Sequence, residues 1–162
     1  YRLRWNDVRY EPGELKVVAY DDSGNAAATH TVKTAGAPSQ LSLDAWSQSS
    51  PAAPTSSASP VTLTSDGEDL AFVTVSLRDA HGTLIPYAAD QLQFEVSGAG
   101  TFRAVCNGDA TSLEPFTQPT MKLFAGQLVV VVQAAKQPGT LTLRVYDKER
   151  NLSQNIDIPV IQ

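Results

Sequence analysis

Ala71-Phe72-Val73-Thr74-Val75-Ser76-Leu77-Arg78, followed by Asp79-Ala80-His81-Gly82, decides the fold class of this chain. Ala71, Val73, Val75 and Leu77 share one parity; Phe72, Thr74, Ser76 and Arg78 share the other. An apolar residue at every second position is the pattern of a strand with one buried face. Asp-Ala-His-Gly then reverses the chain with side chains and a glycine suited to turns. The same grammar continues on both sides. Leu84 to Tyr87 reads as a further short strand, and Leu92, Phe94 and Val96 as another with clean period two. Gln127 to Ala134 carries valine at four consecutive positions, which predicts a central strand covered on both faces. Lys136-Gln137-Pro138-Gly139 turns the chain into Leu141, Leu143 and Val145, and a last strand runs from Leu152 to Ile161. Upstream, Leu41, Leu43 and Ala45 open the unit, and Val61 and Leu63 precede a Ser65-Asp66-Gly67 turn. Seven or so short strands punctuated by Gly and Pro predict an all-β, immunoglobulin-like β-sandwich. Periodicity leaves a barrel open as the weaker alternative.

The first residues read as a separate piece. Leu3, Trp5, Val8 and Tyr10 predict a strand with a bulge near Asn6-Asp7, and Glu11-Pro12-Gly13-Glu14 a turn. Leu15, Val17 and Ala19, the Asp21 to Asn25 turn, and Ala28, His30 and Val32 complete three strands ending at Ala35. They resemble the last part of a sandwich whose other strands lie upstream. Residues 1–36 are therefore expected to be the terminal strands of a preceding immunoglobulin-like domain. Residues 37–162 form the second sandwich, with Ala35-Gly36-Ala37-Pro38 as linker. A start at Tyr1, inside a strand pattern and without Met, reads as a fragment excised from a longer protein. Residues 47–60 are almost wholly Ser, Ala, Pro, Thr and Gln. Such a stretch buries too little apolar surface to offset its ordering entropy, so a mobile inserted loop is expected there.

Composition narrows the function classes. The 162 residues are 42% hydrophobic and 18% charged, which fits a folded domain better than a disordered one. The net charge is −5 and no Lys/Arg cluster marks a basic face, so neither nucleic acid nor an anionic membrane surface is an expected partner. The longest apolar run, Leu128 to Val132, has strand length, so no membrane insertion is expected. A single cysteine, Cys106, excludes an internal disulfide. The expected location is secreted, periplasmic or cell envelope, where disulfide-free domains also occur.

Chemistry is sparse. The acidic pairs Glu11/Glu14, Asp21/Asp22 and Asp66/Asp69 all fall in predicted turns, where carboxylates serve the backbone. A retaining glycosidase needs two carboxyl groups about 5 Å apart, one with a raised pKa, and turn carboxylates do not supply that. His30, His81 and Cys106 lack the ligand spacing of a zinc site, so no metal and no cofactor are expected. His81 reads as a surface turn residue, His30 as a strand residue facing a neighbour, and Cys106 as a small buried residue. Asn107-Gly108-Asp109 reads as a tight turn rather than a calcium loop. Asn151-Leu152-Ser153 matches a glycosylation sequon at a turn. Among the aromatics, Trp5 and Tyr10 suit the inside of the first sandwich, whereas Trp46 abuts the low-complexity stretch. Trp46, Asn107, Asp109 and Phe116 are the candidate carbohydrate contacts.

Several stretches, in both parts of the chain, carry a resemblance to a known family. Trp5-Asn6-Asp7-Val8-Arg9-Tyr10-Glu11-Pro12-Gly13-Glu14-Leu15 resembles the W-x-V-x-Y-x-P-G-x-L stretch of glycoside hydrolase family two, in an immunoglobulin-like domain that follows the catalytic barrel. Thr64 to Val75, Asn107-Gly108-Asp109-Ala110-Thr111-Ser112-Leu113-Glu114-Pro115-Phe116, the Lys122/Phe124/Gly126 set and Pro138 to Leu141 resemble the C-terminal immunoglobulin-like domain of the same enzymes. The resemblance implies a β-galactosidase-type parent enzyme whose two catalytic glutamates lie in an upstream (β/α)₈ barrel. No family catalytic residue maps onto this chain. The implied role is a non-catalytic C-terminal accessory region, partnered by the upstream barrel. A carbohydrate-binding module is the first alternative, and an adhesin-type immunoglobulin-like spacer the second.

Overall fold

The computed structural model describes residues 4–47 and 61–162. The Ser/Ala/Pro-rich insertion therefore lies, apart from Ser47, outside the described residues, as does Leu3. The chain divides into two compact units, residues 1–35 and 36–162.

The first unit is a hairpin of β1 (Glu14–Tyr20) and β2 (Ala26–Lys33), antiparallel, with Leu15 opposite Val32 and Val17 opposite His30. Asp21 closes its turn: one carboxylate oxygen accepts the N–H groups of Ser23 at 2.9 Å and Asn25 at 2.8 Å. These bonds hold its pKa below the ordinary carboxylate value, with the Asn25 amide the largest cause. The strand expected through Trp5 and Tyr10 is absent among the described residues. With no third strand to pair or pack on, Trp5 and Tyr10 are exposed rather than core, which corrects both expectations. The apolar face of Leu15, Val17 and Val32 is exposed as well.

The second unit is the predicted sandwich. One sheet has the order β4 (Leu63–Thr64), β11 (Leu152–Ile161), β10 (Gly139–Asp147), β6 (Gln91–Gly98), β8 (Thr120–Lys122). The other has the order β3 (Pro38–Ser47), β5 (Leu70–Asp79), β9 (Gln127–Ala134), β7 (Gly100–Cys106). Period two assigns the faces. Ala71, Val73, Val75 and Leu77 of β5 and Leu128, Val130 and Val132 of β9 are buried against Leu92, Leu141, Leu143, Val145 and Ile158 of the opposite sheet. Phe94 of β6 and Phe102 of β7 stack across the core, centroids 6.3 Å apart.

The valine run corrects one expectation. β9 is central, but only its even-numbered residues face the core; Val129 and Val131 lie half-buried on an open outer face. No second layer covers that face among the described residues. Leu84 to Tyr87 forms only an isolated bridge, Arg78 to Leu84: the Ile85 N–H still donates to the Leu77 carbonyl at 3.0 Å, and the chain then turns, with the Ala88 N–H on the Ile85 carbonyl.

The chain passes between sheets at Gly98-Ala99-Gly100. Gly98 has φ +79, and a Cβ there would collide with the Thr140 carbonyl of β10. Only glycine meets both conditions.

Candidate functional site

The expected sugar contacts do not converge. Trp46 ends β3 and Asn107 follows the end of β7, the two opposite edges of one sheet. Three strand spacings of about 4.8 Å separate those edges. The register sets Trp46 level with Phe72, Val131 and Ala104, so Asn107 is also displaced by three residues along the strand direction.

Trp46 is half-buried and pairs with Phe72 on β5, rings 4.4 Å apart and 14° from parallel. One ring face is therefore used by Phe72. Among the described residues, no row of exposed aromatics runs across this sheet face.

Asn107, Asp109 and Phe116 are brought together in the long loop between β7 and β8. Asn107 Nδ2 donates to the Lys122 carbonyl at 3.0 Å, and its Oδ1 accepts the Asp109 N–H at 3.0 Å. Asp109 Oδ1 accepts the Thr111 hydroxyl at 2.7 Å and the Thr111 N–H at 2.9 Å. Those bonds, the hydroxyl first, hold the Asp109 carboxyl below the usual carboxylate range. The Glu114 carboxylate accepts from Gln91 Nε2 and from the Lys122 N–H, each at 3.2 Å. Sequence reasoning missed Glu114 as the brace of this loop, because its partners lie 23 and 8 residues away. Phe116 accepts the Val105 N–H through its carbonyl at 2.8 Å while its ring stands exposed. Chemically, the loop is a set of internally satisfied polar groups carrying apolar tips.

The remaining candidates fall into structural roles. Asp66 Oδ1 caps the 66–69 turn through the N–H groups of Glu68 at 2.7 Å and Asp69 at 2.8 Å, which lowers its pKa. Asp69 accepts the Thr64 N–H at 2.8 Å. Glu14 pairs with Lys33 at 3.3 Å. His81 is exposed in its turn, and Asn151 sits in a left-handed turn at φ +55. Cys106 is exposed on the outer edge strand opposite Val129, which corrects the buried reading. The bulge between Phe102 and Ala104 sets that parity by inserting Arg103. Among the described residues no group of three or more His, Cys, Asp or Glu side chains is placed to hold a metal ion.

Two buried carboxylates went unnoticed in the sequence. Asp90 and Asp147 flank Arg150, whose Nε lies 2.6 Å from Asp90 Oδ1 and 3.8 Å from Asp147 Oδ2. Asp147 Oδ1 also accepts the Glu149 and Arg150 N–H groups. This cluster ties the β10–β11 turn to the start of β6, and both carboxylates raise the Arg150 pKa, Asp90 most.

Comparison with known proteins agrees with this architecture. The model of glycoside hydrolase family 2 C-terminal domain 5 matches residues 55–154, and that of a domain of unknown function, DUF4982, matches residues 1–28. β-Galactosidase BoGH2A of Bacteroides ovatus is 38% identical over 136 residues, 84% of this chain and 14% of its own length. A β-glucuronidase of Formosa agariphila is 29% identical over 147 residues, 88% of this chain and 13% of its own. The crystal structure of a glycosyl hydrolase family 2 member from Bacteroides cellulosilyticus superposes with a TM-score of 0.82 at 26% identity, over 96% of this chain and 18% of that one. The chain thus spans only a small part of the relatives it matches. With its sandwich and its 55–154 match together, the chain belongs to the C-terminal domain 5 family of glycoside hydrolase family 2.

Proposed function

We propose that this chain is the accessory C-terminal region of a β-galactosidase-type enzyme whose bond-breaking carboxylates lie in a preceding barrel domain. The observation that carries the reading is the alignment of 84% of this chain with 14% of a β-galactosidase. The carboxylates support it. Asp21, Asp66 and Asp109 have their pKa values lowered by turn hydrogen bonds, and Asp79 first by the Gly36 N–H and then by its turn, the reverse of what a general acid needs. The higher identity to the β-galactosidase than to the β-glucuronidase favours a galactoside substrate for the parent enzyme.

The test compares residues 1–162 with the full-length polypeptide on aryl β-galactosides and β-glucuronides. Expected are turnover of the galactoside by the full-length protein and none by residues 1–162. Hydrolysis by residues 1–162 alone overturns the accessory role, and turnover of the glucuronide alone overturns the galactoside assignment.

A further inference from the structure

Three large apolar side chains stand at the end of the second unit where β5 ends, Tyr87 70% exposed, Leu113 97% and Phe124 49%, while Phe116, 57% exposed, flanks the β7 edge through its bond to Val105. They stand on three loops, residues 80–90, 107–119 and 123–126, that hydrogen bonds lace together. Gly126 N–H donates to the Ala88 carbonyl at 3.1 Å, Leu123 N–H to the Asp90 carbonyl at 2.9 Å, and Asn107 Nδ2 to the Lys122 carbonyl at 3.0 Å. A braced backbone holding apolar tips in water marks an interaction surface.

The chemistry of the loops selects the kind of partner. A sugar site needs free donors and acceptors beside an aromatic face. Here the Asn107, Asp109 and Glu114 side chains are spent on their own loop or its neighbours. The large apolar side chains that point outward are aliphatic and aromatic, with the exposed polar Thr117 and Gln118 beside them, as in an apolar centre with a polar rim.

Connectivity selects the occupant. Gly36, the first residue of this unit, donates its N–H to Asp79 Oδ2 at 2.8 Å, and Pro38 pairs with Asp79. Everything that precedes Gly36 is tethered at the pole where β5 ends and these loops lie. In the β-galactosidase relative the matched stretch is 14% of the length, and the family takes its name from a C-terminal place. A tethered segment samples a nearby surface at high effective concentration, so it outcompetes a free partner of equal affinity. We infer that the Tyr87/Leu113/Phe124 end is the face by which this module docks on the preceding catalytic part of its own polypeptide. The inference rests on the accessory role proposed above.

The test is photo-crosslinking in the full-length polypeptide, with a benzophenone-bearing phenylalanine in place of Tyr87 and, as control, of the exposed Gln137 in the β9–β10 turn at the opposite pole. The expected result is an intramolecular adduct from position 87 to a peptide preceding residue 1, abolished by Leu113→Asp with Phe124→Asp, and no adduct from position 137. An adduct from 137 but not 87 overturns this face while leaving the accessory role standing. An adduct from 87 to a second copy overturns it in favour of self-association. No adduct from either position overturns docking altogether, whereas galactoside hydrolysis by residues 1–162 alone sinks the accessory role independently of any crosslink.

Discussion

At the residue scale, parity within β9 separates two valines that sequence alone treats alike. Val130 is fully buried between β5 and β7, whereas Val131 is half-buried on the outer face. Val130→Asp puts an unpaired carboxylate in the core and is expected to cost several kcal/mol, on the order of the whole stability of a marginal domain. Val131→Asp should cost about 1 kcal/mol, since its carboxylate reaches water. Urea denaturation of the two variants checks this, and equal losses would contradict the parity. Arg150 offers a second contrast. Asp90 is 4% exposed in its side chain and depends on Arg150, itself 39% exposed. Arg150→Ala strands that carboxylate and should cost about 2–3 kcal/mol, less than a fully buried pair because water reaches the guanidinium. A double-mutant cycle with Asp90→Asn measures the coupling.

At the scale of elements, the turns and the sheet crossing carry the constraints. Gly98→Ala forces a methyl group toward the Thr140 carbonyl at a positive φ. A loss of more than about 2 kcal/mol is expected, combining backbone strain and overpacking. A melting temperature equal to wild type would show that the crossing relaxes freely. The β5 turn gives a pH prediction. Asp79 accepts the Gly36 N–H at 2.8 Å, the Thr83 N–H at 2.8 Å and the His81 N–H at 2.9 Å, and the Gly36 bond is the largest cause of its lowered pKa. A folded pKa below the ordinary 3.8 means that Asp79 contributes stability above that value and loses it as pH falls through the lower folded value. Asp79→Asn should therefore melt below wild type at neutral pH, with the gap closing in acid below about pH 4. A gap independent of pH would remove the carboxylate from the account.

At the scale of the whole molecule, the two units differ in what they bury. Residues 36–162 enclose a continuous core between two sheets, and calorimetry of that segment is expected to show one cooperative transition. The 14–33 hairpin leaves Leu15, Val17 and Val32 in water, and an isolated hairpin is marginal. Its amides should exchange rapidly in residues 1–162 and slowly in the full-length polypeptide, where preceding strands would supply the missing layer; slow exchange in both would show that the hairpin is stable unaided. Period two in Ala71 to Leu77, Leu92 to Val96 and Leu141 to Val145 was enough to read the all-β class and the inner face of each strand, because alternation is a local property of the pleat. The β7 strand escaped notice because the Arg103 bulge interrupts its period, and the Asp90–Arg150–Asp147 cluster because its members meet across 60 residues of chain. The Asn107 to Phe116 stretch was recognisable as a mark of the family, but its polar groups could be known to face inward only once the Glu114 and Lys122 partners were in place. Sequence by itself determined which residues alternate, where the chain turns and which family it resembles, since each depends on near neighbours. Tertiary structure alone decided that Val131 and Cys106 lie outside, that Trp46 and Asn107 stand at opposite edges, and which apolar tips remain in water. Those outcomes depend on which strands become neighbours, and pairing between distant segments is set by the packing of the whole core.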